Sequence, residues 1–160
     1  MSQLYATNGS KVYIGGAPKQ SNGAILTASD FSGVTWTEIK GVTDLGTLGD
    51  VSALITSSVI GEGRDRKAKG TNNAGSWQIV ADLDYADAGQ IAAIAAQAAR
   101  ETYPFKVVLN DAPQGGTPSE RYATALVMSA AEAYSQANNA MALNITIEVD
   151  SNVARVAASA

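Results

Sequence analysis

The residues of this chain that could carry chemistry are almost all carboxylates. Asp82, Asp84 and Asp87 are spaced like the beginning of a calcium-binding loop. Such a loop needs an oxygen ligand at its fifth position and Gly at its sixth, where this chain has Ala86 and Asp87. We therefore interpret these carboxylates as structural, with Asp84 and Asp87 placed to accept free N–H groups at the start of a helix.

Three other motifs also fail to define a site. Glu132 and Glu148 fall on strands expected to be neighbours, like a glycosidase pair, but nothing around them suggests an aromatic sugar-binding cleft. Gly61-x-Gly63 lacks the Gly-Lys-Ser/Thr ending of a phosphate-binding loop. Asn144-Ile145-Thr146 matches a glycosylation triplet but lies inside a predicted strand.

His and Cys are both absent from the sequence. His is the usual general base near neutral pH, and His and Cys are the usual zinc ligands. Without them, Ser-His and Cys-His nucleophile pairs, disulfides and thiolate metal sites cannot form within this chain. We therefore expect a protein that is not an enzyme and that uses neither a cofactor nor a metal.

Size and charge narrow the possibilities further. The 160 residues are enough for a single domain, 1–160, and their formal net charge is −4. An acidic chain is poorly suited to gripping phosphates, although DNA could pass it without sticking. No apolar run is long enough for a membrane helix, and Met1 to Tyr5 lack the blocks of a secretion signal, so we expect no membrane partner.

Alternating apolar and polar residues predict mostly strands. Near the N-terminus these are Lys11 to Ile14, Val34 to Ile39 and Val42 to Leu48; later ones are Trp77 to Leu83, Phe105 to Leu109, Tyr122 to Ser135 and Met141 to Val149. In the last strand Asn144, Thr146 and Glu148 face away from the apolar residues, which indicates a sheet with one packed face and one in water. A helix over Ser129 to Ala140 is the competing interpretation, because Ala and Glu favour helices.

One helix is predicted over 85–101. Ile91, Ile94, Ala95 and Ala98 recur at helical spacing and predict its apolar packing face. Pro104 biases the residue before it towards an extended conformation and so closes the helix. Residues 151–160 are predicted to form a C-terminal tail.

Residues 50–76, hereafter the arm, differ in character from the rest of the chain. The arm contains Arg64, Arg66, Lys67 and Lys69, four of the eleven basic residues, bordered by Gly. This basic stretch cannot bury an apolar face, so we predict a long extended hairpin. The hairpin is either a solvated loop or an assembly element.

Two long antiparallel strands in a small domain leave exposed edges, and exposed edges invite pairing with another copy. A ring of copies would close such edges into a barrel with a polar inner face. The sequence allows this arrangement without requiring it.

The order of these features resembles the tail tube (major tail) proteins of bacteriophages with long non-contractile tails and of related gene transfer agents. The resemblance covers most of residues 10–150. It is carried by Trp36 to Gly46, the basic run Arg64 to Lys67, Trp77 to Asp82, Ala86 to Gln90 at the start of the helix, and Ile145 to Val149. No single motif is diagnostic, so the resemblance depends on the order of strand, arm, strand, helix and hairpin.

The resemblance implies a mainly β fold with one α-helix: two packed antiparallel sheets, as a β-sandwich or barrel, flanked by the helix and carrying a long extended arm. It also implies a structural virion protein that forms hexameric rings, stacked into the hollow tail tube that delivers DNA. The lumen-facing residues would be Asn144, Thr146, Glu148, Gln78 and Asp82, and the arm residues that contact the next ring would be Arg64, Asp65, Arg66, Lys67 and Lys69.

The implied partners are other copies of the chain, the tape-measure protein, the tail terminator and distal tail proteins, and double-stranded DNA in passage. The implied location is the virion tail, after assembly in the host cytoplasm. Two alternatives remain open from the sequence: the tube protein of a contractile injection or secretion system, and a monomeric ligand-binding or adhesive β-sandwich.

Overall fold

The computed structural model describes residues 3–160, which form a mainly β protein. The α-helix, α1, spans Ala88–Ala98, and a short 3-10 helix spans Ala28–Phe31. The strands are β1 (Lys11–Gly15), β2 (Trp36–Ile39), β3 (Val42–Asp44), β4 (Val51–Ser57), β5 (Arg66–Asn73), β6 (Ser76–Asp82), β7 (Tyr103–Val108), β8 (Glu120–Ala133), β9 (Ala142–Val149) and β10 (Ala154–Val156).

Eight of these strands form one antiparallel sheet in the order β2-β1-β7-β8-β9-β6-β3, with β10 paired to β8. The other two, β4 and β5, form a separate two-stranded sheet inside the arm. The predicted fold class, mainly β with one helix, two antiparallel sheets and an extended arm, is confirmed.

Strand β8 joins the two halves of the large sheet. Its first part pairs with β7 as far as Ala125, which lies opposite Tyr103. Ala125 also lies opposite Val149, and from there the second part of β8 pairs with β9. One long strand therefore belongs to both halves, and the sheet folds over at β8, as in sandwiches whose strands switch sheets.

The core fills the space between the two halves. The rings of Trp77 on β6 and Phe105 on β7 meet edge to face, with centroids 5.9 Å apart. Alternate residues of the surrounding strands point into the same core, and all are buried: Val12, Ile14, Ile39, Ile79, Val107, Ala123, Val127, Leu143, Ile145 and Ile147. Burial of this apolar surface is the main favourable term in folding.

The predicted packing face of the helix is wrong. Ile91, Ile94, Ala95 and Ala98 are exposed, and the buried face consists of Gly89, Gln90, Ala93 and Ala96. The helix lies close against β1, β2 and β8. Such a close approach needs small side chains, so the isoleucines turn outward.

The start of α1 holds together the two ends of the sheet. Strands β2 and β3 lie at opposite ends of the strand order, yet only Lys40 and Gly41 separate them in the chain. The Asp87 carboxylate accepts hydrogen bonds from the N–H groups of Lys40, at 3.1 Å, and Gln90, at 3.0 Å. A Cβ on Gly89 would lie 2.1 Å from the Glu38 carbonyl oxygen, so only Gly fits there.

Gln90 completes this junction and is only 1% exposed. Its side-chain amide donates to the carbonyl oxygens of Lys40, at 3.0 Å, and Asp82, at 2.8 Å. Its side-chain oxygen accepts from the Asp84 N–H at 3.0 Å. A buried amide with all these partners ties the helix to both ends of the sheet.

Two predicted elements, the helix and the strand predicted to start at Val42, are shorter than expected. The helix is shorter than 85–101, because Asp87 caps it at the N-terminus. The strand predicted over Val42 to Leu48 ends at Asp44, whose carboxylate accepts the N–H of Gly46 in a turn with positive φ. Trp77 donates its indole N–H to the Leu45 carbonyl oxygen, which holds the following segment against β6.

The C-terminal third of the structure contains two further strand segments that bear on the predictions. Residues 129–133 are strand rather than helix, because their pairing with β9 continues as far as Ala133 opposite Ala142. The predicted C-terminal tail includes β10, which pairs with the start of β8, and Ser159 bridges to Thr117. Strand β10 has only three residues, too few to show an alternating pattern in the sequence.

We predict that Gln90→Leu lowers the free energy of unfolding by about 3 kcal/mol, because two carbonyl groups and one N–H group lose their partner in a buried site. Gln97→Leu on the same helix is the matched control; Gln97 is exposed, so its change should stay within about 0.5 kcal/mol. Urea unfolding followed by circular dichroism measures both. Equal effects of the two substitutions would contradict the role of Gln90.

Candidate functional site

The carboxylates considered in the sequence do not form a catalytic pair. Glu132 lies opposite the core residue Leu143, whereas Glu148 lies opposite Leu126. Since neighbours across a sheet share a face and successive residues alternate, the two side chains project from opposite faces. Within residues 3–160, no cluster of three or more Asp or Glu side chains could hold a metal ion.

The five residues predicted to face a lumen lie on a single face of the sheet. Gln78 lies opposite Thr146, and Val80, between Gln78 and Asp82 on this face, lies opposite Asn144. Glu148 lies opposite Ser76, whose hydroxyl donates to the Glu148 carboxylate. We call this surface the polar sheet face, defined by Ser76, Gln78, Asp82, Asn144, Thr146 and Glu148.

Alternation along the strands separates this face cleanly from the core. On β9, Leu143, Ile145 and Ile147 are at most 1% exposed, while Asn144 between them is exposed. Neither β6 nor β9 contains Lys or Arg. The polar sheet face therefore carries only neutral and acidic side chains on these two strands.

Sequence reasoning missed two parts of this surface. Ser76 was not identified as a member, because only the register of β6 against β9 brings it to Glu148. On β8, Ser129 and Ala131 also belong to this face, opposite Thr146 and Asn144. The bulge at Met128 shifts the alternation of β8 by one residue, so a regular two-residue period would misplace them.

The corresponding outer surface of the other half-sheet is covered. Phe31 of the 3-10 helix packs on Tyr122 of β8 with ring centroids 5.1 Å apart, and Trp36 lies 5.9 Å from Tyr122. Leu26 and Ala154 complete this second buried cluster. Among residues 3–160, the half-sheet made of β3, β6, β9 and the second part of β8 carries no comparable buried cluster on its outer face.

This half-sheet also has an unpaired edge. Residues 126–133 of β8 pair with β9 on one side, but on the other side the pairing of β8 with β7 ends at Ala125. In the described part of the chain, no strand continues the sheet beyond that edge. A row of free backbone groups is a template for a strand from another copy.

The arm projects as an exposed hairpin. Residues 51–69 are exposed, including Val51, Leu54 and Ile55. An isolated two-stranded hairpin is at best marginally stable in water, so the arm needs contacts beyond its own two strands.

The predicted arm contacts fall into two groups. Arg64 and Asp65 lie at the tip, where the Ser58 hydroxyl donates to Asp65 at 2.6 Å, and Arg66 pairs with Glu62. Lys67 and Lys69 lie on β5 opposite Thr56 and Leu54, on one side of the hairpin. In residues 3–160, neither lysine has an ion-pair partner.

Comparison of the sequence with protein families identifies a relationship. The family described as "Phage tail tube protein, TTP" matches residues 20–158. Because the match covers most of the sequence, this chain belongs to the phage tail tube protein family. The family is structural, and its match agrees with the resemblance inferred from the order of strands, arm and helix.

Solved structures share the fold at low sequence identity. The sheath/tube terminator structure of the PVC extracellular contractile injection system is 13% identical, with a TM-score of 0.68 over 98% of this chain and 99% of that one. A chain of the six-fold symmetrised anti-feeding prophage (AFP) baseplate is 11% identical, with a TM-score of 0.67 over 98% of both chains. The SPP1 tail tube is 14% identical, with a TM-score of 0.60 over 92% of this chain and 76% of that one.

No curated protein sequence matches the chain. Among residues 3–160, the helices are too short or too polar to cross a lipid bilayer.

Proposed function

We propose that this chain is a virion protein that closes into hexameric rings, and that these rings stack into the hollow tail tube through which DNA enters the host cell. The observation that carries the proposal is the half-sheet of β3, β6, β9 and the second part of β8. It combines a packed inner face, an open polar outer face and a free edge.

Ring closure would join this free edge to the opposite edge of the same half-sheet in the next copy. Strand β3 forms that opposite edge beyond β6. Pairing two different edges is a head-to-tail contact, and head-to-tail contacts close into rings when the rotation permits. Closure removes both edges and turns the separate half-sheets into one continuous barrel.

The polar sheet face would then line the lumen. Asp82 and Glu148 are the acidic members of that face, and the rest are neutral. Charge of the same sign on wall and DNA prevents phosphates from being held, since phosphate affinity depends on Lys and Arg. A conduit needs this property, because DNA must pass without stopping.

The arm would connect successive rings. It is the longest exposed element of the described chain, and its basic residues contrast with an otherwise acidic protein. Contact with a neighbouring ring would supply the burial that the hairpin lacks. The tape-measure protein, tail terminator and distal tail proteins would be further partners, met after synthesis in the host cytoplasm.

A second candidate function is the tube of a contractile injection system, because one of the similar structures comes from such a system. Ring and lumen would be built in the same way, and a sheath would surround the tube. A monomeric binding sandwich fits less well, because a monomer would leave the free β8 edge unpaired and the arm without contacts that stabilise it.

Reversing charge on the polar sheet face should slow DNA delivery. Glu148→Lys places a cation where phosphates pass, so we predict tubes of normal appearance with DNA release slowed by about tenfold or more. Glu101→Lys makes the same charge change at an exposed position beyond α1 and serves as control. Both are measured by time-resolved potassium efflux or DNA release from particles. Normal release from Glu148→Lys particles would show that this face is not the lumen.

Shortening the arm should separate ring formation from stacking. Deletion of Gly63 to Lys69 removes the basic tip, and we predict rings that no longer form long tubes. Because these residues are exposed, the thermal melt of the monomer should be unchanged. A Gly/Ser segment of equal length in their place distinguishes loss of sequence from loss of reach. Electron microscopy provides the readout, and tubes of normal length from the deletion variant would exclude a stacking role for the arm tip.

A further inference from the structure

The outward side of α1 is an apolar surface without a partner in the described chain. Ile91 is 53% exposed and Ile94 38% exposed, and Ala95 and Ala98 continue the same row. A surface helix normally presents charged residues to water, but α1 contains none at all. The helix therefore has two uncharged faces, of which the fold uses only the inner one.

Carboxylates lie near the N-terminal end of this face, whereas Arg100 follows its C-terminal end. Tyr85 and Tyr134 both donate their hydroxyls to the Glu132 carboxylate, at 3.3 Å and 2.6 Å. The hydrogen bond from Glu132, followed by its charge, raises the pKa of Tyr134, while partial desolvation and then the Glu132 charge raise the pKa of Tyr85. Both phenols thus remain protonated hydrogen-bond donors well above neutral pH. Asp84, next to Tyr85, is a second exposed carboxylate.

The arm has one side that suits such a surface. Ile55 lies opposite Ala68 on the side of the hairpin that faces away from Lys67 and Lys69. Gly70 continues this side, and a Cβ there would lie 3.4 Å from the end of the Ile55 side chain. This side of the arm, defined by Ile55, Ala68 and Gly70, is apolar and shallow, so the row of isoleucines on a helix can approach it closely. Arg66 lies on the same side nearer the tip, where it pairs with Glu62.

Charge favours the same pairing. The arm, residues 50–76, has four basic and three acidic residues, a net charge of +1. The whole chain carries −4, so the remainder carries −5. Carboxylates beside the uncharged face of α1 would attract the basic residues of the arm, as in electrostatically complementary interfaces.

We propose that the side of the arm formed by Ile55, Ala68 and Gly70 docks on the outward face of α1 in another copy of this chain. This inference rests on the proposed function, because it identifies the surface that the arm binds between rings. This binding surface, hereafter the seat, consists of Ile91, Ile94, Ala95 and Ala98. Glu132 and Asp84 attract the basic tip of the arm. The lysine side of the hairpin is then directed away from the helix.

The natural absence of cysteine permits a direct test by cross-linking in assembled tubes. A variant with Ile55→Cys and Ile91→Cys is assembled and treated with a short bismaleimide. We expect most of the protein to run as covalently linked multimers on a denaturing gel. The control combines Ile91→Cys with Thr56→Cys, which lies on the opposite side of β4, and should give only background cross-linking. Equal cross-linking in both variants, or none in tubes of normal length, would overturn the proposal.

A second variant keeps the proposal testable if cysteines impair assembly. Ile91→Asp with Ile94→Asp places charge on the seat, and its monomer should melt like the wild type because both side chains are exposed. Rings that fail to stack are the expected result, and normal tubes would refute the seat. The failure of the wild-type protein to form any ring or tube would instead refute the proposed function itself.

Discussion

The arrangement of the whole domain depends on the junction between α1 and the Lys40–Gly41 crossing. The sheet begins and ends at strands that adjoin in sequence, so its two ends must be held together where the chain crosses. Asp87 and Gln90 satisfy backbone groups on both sides of this crossing, and Gly89 lets the helix approach the β2 backbone. If the helix lay farther away, the open ends of the folded sheet would expose the core.

This constraint also determines what remains on the surface. Because the helix must approach closely, Gly89, Ala93 and Ala96 face inward and the larger Ile91 and Ile94 face outward. In β9, likewise, the apolar residues Leu143, Ile145 and Ile147 point into the main core and leave polar side chains on the opposite face. The domain is thus fully packed inside yet carries an apolar helix face, a free strand edge and an unsupported arm, features that a monomer in water does not favour.

Much of the fold could be predicted from the sequence in those segments where a single residue pattern specified the local structure. The alternation of Leu143 to Val149 predicted both the strand and its two faces, and the composition of the arm predicted an exposed hairpin. The inward face of α1 could not be predicted, because the isoleucines mark the more apolar side, and only the proximity of β2 selects the side with small residues instead. The bulge at Met128 and the short strand β10 were also hidden, since each depends on pairing with a distant segment rather than on local pattern.

The central claim is that this domain is incomplete as a monomer and is built to form a tube. Negative-stain electron microscopy of the purified wild-type protein, imaged over a series of increasing concentrations, tests it most directly. The account predicts closed rings with an open centre, and stacks of such rings at high concentration. A protein that stays monomeric at every concentration, with its arm and β8 edge still exposed, would contradict it.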